Sequence, residues 1–201
     1  PRTSSSRYLI RFLREEAYRR CSELLLRELK QGRSLPPESI RLLPSARSLC
    51  CPLASTEELS ELDGEIVIEP DRRLFVDTKY YLPSASSKSY LPYDPGQRIP
   101  WGVQASGASR LWRKSKGAGI RIGVVDTGAD FQHPDIRSSL ARGVNLVNRL
   151  AAAQDDNGHG THIAGTIAAS ASATGGISGM APRAVLHPVK AFDHEGSAFV
   201  S

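Results

Sequence analysis

The chain lacks several things, and each lack narrows what it can be. No run approaches the roughly 20 consecutive apolar residues that a membrane-crossing helix needs; the longest apolar stretches are strand-sized or belong to short helices. No block of like charge occurs. The net charge of +5 is spread along the sequence, whereas a nucleic-acid binder clusters its cations. Cysteine is scarce, with Cys21, Cys50 and Cys51 all lying early. An odd count builds no complete disulfide framework and sequence neighbours rarely bridge, so all three read as small buried hydrophobes. From Pro52 onward nothing can depend on thiol redox state. A Gly-X-Y period is missing, which excludes collagen, while 17 Gly and 13 Pro exclude a coiled coil or helical bundle. No His-Glu-x-x-His occurs, the helical zinc signature of metalloproteases. The chain begins at Pro1 without an apolar leader and stops just after an element opens at Gly196, so it reads as a fragment at both ends.

What is present suffices for folding. Forty per cent of the 201 residues are hydrophobic, enough to bury the core of one ordinary domain or two small ones. Residues 1–77 read as a compact α+β unit. Arg7–Leu13 is strand-like; Ala17, Tyr18, Cys21, Leu24, Leu25 and Leu29 recur at helical steps, and Gly32 caps that helix. Ile40–Leu43 and Leu49–Cys51 are strands, Ser55–Glu58 forms a capping box that opens a short helix ending near Leu62, and Glu65–Glu69 and Arg72–Val76 close the unit. The order strand–helix–strand–strand–helix–strand is the split-βαβ arrangement, with one sheet face under helices and the other free to dock. Residues 78–96, rich in Pro, Ser and Tyr and without periodicity, form a linker that a protease can reach.

From residue 97 the pattern changes to α/β. A helix is predicted over Ala105–Lys114, strands over Ile120–Val125, Val144–Val147 and Ala184–Lys190, a small Ala-rich helix over Ile163–Ala169, and a loop over Gly175–Pro182. Pro188 makes a central position for the last strand less expected. Strands alternating with helices predict part of a doubly wound parallel sheet, with functional groups at the carboxyl ends of strands. Asp126 stands at such an end.

A carboxylate directly after a buried strand is costly unless something pairs with it. Asp126-Thr127-Gly128 can be a turn cap, and Asp126-Thr127-Gly128-Ala129-Asp130 also resembles the active-site turn of retroviral-type aspartic proteases, where two carboxylates share a proton. Alone this motif does not choose. The second one does: Asp155-Asp156-Asn157-Gly158-His159-Gly160-Thr161-His162-Ile163-Ala164-Gly165-Thr166 sets an imidazole between two glycines at the start of a small-residue helix. His159, His162, Asp155 and Asp156 could be read as metal ligands, but no third His or Glu stands at metalloprotease spacing. The positive end of a helix favours neutral imidazole, the resting form of a general base. A buried carboxylate at the other ring nitrogen would fix its tautomer, and Asp126 has the chemistry for that.

These two motifs, with His133-Pro134-Asp135, Gly179-Met180-Ala181-Pro182 and Val189-Lys190, resemble the subtilisin-like serine proteases, or subtilases, over roughly residues 97–201. The resemblance implies that Asp126 and His159 are the triad acid and base and that His162 is a structural histidine on the helix. Residues 7–77 are similar to the family's inhibitory propeptide, whose free sheet face packs on the protease. This implies a zymogen processed between Tyr81 and Gln97, acting on protein or peptide substrates, with no organic cofactor and with secretion or the cell surface as its compartment. Gln97 and Asp135 match ligand positions of the family's calcium site, the loop Ser170–Ser178 supplying the rest. The chain departs from the family in one respect above all. Its Gly-Thr-Ser-Met-Ala nucleophile stretch is absent, and Gly176–Ala181 only imitates it; the oxyanion Asn is expected beyond Ser201. The polypeptide alone is therefore expected to be inactive. The alternatives are a catalytically dead subtilase-like binding or inhibitor protein and, more remotely, a dimeric aspartic protease.

Overall fold

A computed structural model describes residues 7–30, 40–52, 66–76, 97–172 and 175–201. The chain divides into two compact units, one of residues 1–74 with 199–201 and one of residues 75–198. Gly32, the Ser55–Leu62 segment and the linker with its expected processing site lie outside the described residues.

In the first unit β1 (Arg7–Phe12) is followed by α1 (Glu15–Lys30), β2 (Arg41–Leu43), β3 (Ser48–Pro52), β4 (Ile66–Pro70) and β5 (Arg73–Phe75). Four of the strands form an antiparallel sheet in the order β2-β3-β1-β4, so the opening strand lies between the third and the fourth. Alternation along β1 sends Ile10 and Phe12 to one face, where they bury with Tyr18, Leu49 and Cys51 under the apolar stripe of α1. Cys50 and Cys51 are buried, Cys21 is half-buried, and all three are free thiols, in line with the odd count and the adjacency of Cys50 and Cys51. Burial pushes the Cys21 and Cys50 thiols up, away from reactive thiolate. The second face carries residues 199–201 of the same unit. The Ser201 amide and hydroxyl donate to the Asp71 carboxylate at 3.1 and 2.9 Å, and Arg41 donates to the Ser201 carbonyl at 2.9 Å.

The second unit begins with β6 (Gln97–Arg98), α2 (Trp101–Ala105) and α3 (Ala108–Leu111). Of the helix expected over Ala105–Lys114 only α3 forms, and α2 precedes the expected span, which it touches at Ala105 alone. The break falls at Gly107, which adopts a left-handed φ of 75° between them. Next come β7 (Arg121–Asp126), β8 (Val144–Asn145), α4 (His159–Ala168), β9 (Ser170–Ser172), β10 (Gly175–Ser178), β11 (Val185–Lys190) and β12 (Ser197–Phe199). The parallel sheet has the order β7-β11-β8. Val124 and Leu186 pack on one of its faces with Ile136 and with Ala164 and Ala168 of α4.

Three further expectations are corrected. Helix α4 starts at His159, four residues earlier than apolar periodicity alone gives, because polar groups rather than apolar ones hold its first turn. The Gly175–Pro182 loop opens as a strand, pairing with both β6 and β9. Pro188 sits in the central strand: its missing N–H is tolerated because β8 pairs with β11 only at Val189 and Lys190, leaving that side of Pro188 outside the ladder.

Candidate active site

β-Branched residues drive β7, and the strand delivers Asp126 as its last residue with its side chain on the face that α4 covers. The first residue of α4 is His159. Its Nδ1 lies 2.8 Å from Asp126 Oδ1 and 2.9 Å from Oδ2. An ionised carboxylate only accepts, so Nδ1 carries the proton and Nε2 presents a lone pair in the neutral ring. The Asp126 side chain is 9% exposed and that of His159 is 24% exposed. The carboxylate is therefore shielded while the imidazole keeps access to solvent. Asp126 faces an imidazole here and not a second carboxylate, which removes the basis for the aspartic-protease reading.

The first turn of α4 explains how His159 is held. A helix start leaves N–H groups without intrahelical partners, and a glycine cap has no side chain to offer them. Side chains from elsewhere take that role. The His159 N–H donates to Asn157 Oδ1 at 3.2 Å, that of Gly160 to the Thr127 hydroxyl at 2.9 Å, and that of Thr161 to Asp155 Oδ2 at 2.8 Å. Asp155 also accepts from the Thr161 hydroxyl, from the Thr127 hydroxyl at 2.8 Å and from the amides of Asn157 and Gly158 at 3.0 and 2.9 Å. Thr127 follows Asp126 in the chain, and its own N–H donates to Asp126 Oδ1 at 2.7 Å. Its hydroxyl thus ties the turn carrying the acid to the helix carrying the base. On the metal reading Asp155 would face a cation; its oxygens are instead taken up by N–H and O–H donors.

Burial opposes ionisation of Asp155, but the Gly158 amide, the Thr161 hydroxyl and the Asn157 and Thr161 amides outweigh it and hold the carboxyl at about 2. The folded-state value is depressed, so the stability it confers is complete above the ordinary carboxylate range and fades as pH falls from about 4 towards 2. Asp155→Asn is expected to lower the urea midpoint at neutral pH, because its amide group turns donors toward the Thr161 N–H. The gap from the parent protein should narrow on acidification. Parallel urea titrations at neutral pH and near pH 3 measure this, and a gap that stays constant would remove the carboxylate from the explanation.

Of the other residues singled out, His162 is exposed on α4 and lines a groove with His133 and Asp135. Asp135 is buried, and its Oδ2 accepts the Ile177 N–H at 3.2 Å. Gly176 passes so near that a Cβ there would meet Asp135 Oδ1 at 2.2 Å. The β6–β10 register sets the Gln97 backbone opposite Gly176, whereas the Gln97 side chain is outside the described residues. Asp135 and the Gln97 backbone thus both lie against β10, one at Ile177 and Gly176, the other at Gly176; a carboxylate and a backbone carbonyl are oxygen donors of the kind a hard cation takes. The network residues Thr127, Asp155 and Lys190 were not foreseen. The run Asp155-Asp156-Asn157 just before a helix start was a capping signal that could have pointed to the first of them.

The sequence of residues 117–200 matches the family model described as the subtilase family. The chain is 40% identical over 119 residues to the major intracellular serine protease of Bacillus subtilis, covering 54% of this chain and 37% of that protein. It is 38% identical over 109 residues to thermitase of Thermoactinomyces vulgaris, covering 54% and 39%. To subtilisin Savinase of Lederbergia lenta it is 43% identical over 108 residues, covering 52% and 38%. The chain thus spans under two fifths of the length of these relatives. The matched segment, residues 117–200, contains Asp126, His159 and the network joining them, and it is this segment that is similar to the subtilase family.

Proposed function

We propose that the full-length protein is a serine endopeptidase in which Asp126 and His159 are two members of a Ser-His-Asp triad. The observation that carries this is the 2.8 Å contact between His159 Nδ1 and Asp126 Oδ1, already formed and held from both sides. A serine hydroxyl outside residues 1–201 attacks the peptide carbonyl while His159 Nε2 takes its proton. The same nitrogen then protonates the leaving amine as the acyl-enzyme forms, and water releases the acyl group by the reverse sequence. Asp126 keeps the Nδ1 proton in place and stabilises the imidazolium. A serine-directed covalent probe tests the reading on the full-length protein. Labelling that His159→Ala abolishes supports it; no labelling of a folded protein points to the catalytically dead alternative.

Residues 1–77 are proposed as an inhibitory propeptide, the sheet and covering helix giving them a core of their own, with activation by cleavage between Tyr81 and Gln97. N-terminal sequencing of the mature form reads the cleavage point. The substrates proposed are proteins and peptides, and residues 1–201 alone should turn none over. Secretion or the cell surface is the compartment proposed. The family likeness does not decide it, since two of the relatives are named as intracellular proteases. No helix among the described residues is long and apolar enough to cross a membrane.

Calcium is proposed at the Asp135 cradle, where Asp135 and Gln97 would hold it. When bound, it would cross-link the turn before Ile136 to β6 and β10; the hydrolytic steps do not pass through it. Chelation is expected to lower the melting temperature of the full-length protein, and Asp135→Asn to abolish the difference between chelated and calcium-loaded samples. Equal melting temperatures for the parent protein in both conditions would remove the ion.

A further inference from the structure

Lys190 ends β11 directly beside Asp126 in the parallel register. It is 4% exposed, and burying an ammonium is costly unless its partners are good. Two partners meet it. The ammonium donates to the Thr127 carbonyl at 2.7 Å and to Asp156 Oδ1 at 2.6 Å. The first belongs to the turn that carries Asp126, the second to the loop that enters α4 three residues before His159. One cation therefore joins the two segments that deliver the acid and the base. It also completes the fixing of Thr127. The peptide plane before Thr127 is held by the N–H bond to Asp126, its side chain by Asp155 and Gly160, and the plane after it by Lys190. A methionine would fill the same volume without making either bond. Since buried ion pairs are weak sources of net stability, the return for burying this one is position.

We infer that Lys190 is a positioning residue for the Asp126–His159 pair, acting through the Thr127 carbonyl and kept in place by Asp156. The inference rests on the serine-protease reading for its effect on rate, but its geometric content does not. Two readouts separate them in the full-length protein: steady-state hydrolysis of a peptide substrate, and the far-downfield proton resonance of the His159 Nδ1–H. Lys190→Met is expected to lower kcat about ten- to a hundredfold with KM within about twofold, the pattern of a misplaced catalytic group. The downfield resonance should broaden or shift.

Asp156→Ala should lower kcat about threefold, and the double variant should be no worse than Lys190→Met alone, because Asp156 acts through the ammonium. A folded Lys190→Met protein with parental kcat and an unmoved resonance overturns the inference, even if its melting temperature drops. Losses that multiply in the double variant overturn it too. If Lys190→Met does not fold, Asp156→Ala decides alone, because that side chain is 53% exposed; parental kcat and resonance there overturn the inference. A parent protein without peptidase activity would sink the serine-protease reading, and the resonance would still test the positioning.

Discussion

His159→Ala in the full-length protein is expected to lower kcat for peptide hydrolysis by about 10⁴-fold or more with KM little changed, the usual cost of removing a triad member. Among the described residues near Asp126, the His159 imidazole is the group with an Nε2 lone pair, partial exposure and a fixed tautomer, and no described neighbour can replace it. Asp130, Asp155 and Asp156 are engaged with Gln154, with the helix amides and with Lys190. His162, three residues on, lines a different groove. The companion variant Asp126→Asn should cost about 10⁴-fold for a different reason. Its amide can donate to Nδ1, which stabilises the tautomer with the proton on Nε2, where it blocks general-base action. Steady-state kinetics on purified full-length variants, with circular dichroism to confirm folding, measures both. A folded His159→Ala protein retaining a tenth of the parental kcat would mean that another base serves.

The residues of the Asp126–His159 pair were legible because each is local in type and position. Asp126 ends a β-branched run, and His159 stands between glycines before a small-residue helix; each motif announces itself within a dozen residues. What was not legible is how the two are joined. Thr127 and Asp155 are 28 residues apart and Thr127 and Lys190 are 63 apart, and no periodicity connects them. The same reason accounts for α4. Apolar spacing places its start near Ile163, but its first turn is fixed by N–H groups donating to Asn157, Thr127 and Asp155, pairings that only folding reveals. For β10, Gly175-Gly176 reads as loop chemistry in isolation. It is a strand because β6 and β9 flank it and Gly176 must admit the Asp135 carboxylate. The strands of the first unit's four-stranded sheet, by contrast, were each legible as short apolar segments and lie within about a residue of the expected bounds, although the pairing of Leu9 with both Cys50 and Glu69 joins segments far apart in the chain.

Gly160→Ala is expected to destabilise the protein by about 3 kcal/mol or more, a large effect for adding one methyl group. Gly160 is helical, so backbone strain plays no part and alanine would ordinarily be the better helix residue. The cost is steric. A Cβ at Gly160 would lie 2.1 Å from the Gly128 carbonyl oxygen and 3.0 Å from its nitrogen. Both are backbone atoms, and Gly128 is itself held at a φ of 114° that other residues rarely adopt. Neither side can yield by rotating a side chain, so α4 must move off the turn after β7. That movement separates the elements bearing Asp126 and His159, and kcat should fall at least about a hundredfold even below the new melting temperature. Gly165, one and a half turns along the same helix, is the internal control. A Cβ there meets nothing nearer than Ile177 Cδ1 at 3.9 Å. Gly165→Ala should accordingly be neutral or gain about 0.5–1 kcal/mol from helix propensity, with kcat unchanged. Urea unfolding and kinetics on the two variants side by side distinguish close approach from propensity. Equal effects at Gly160 and Gly165 would show that the contact between Gly160 and Gly128 does not set the distance between acid and base.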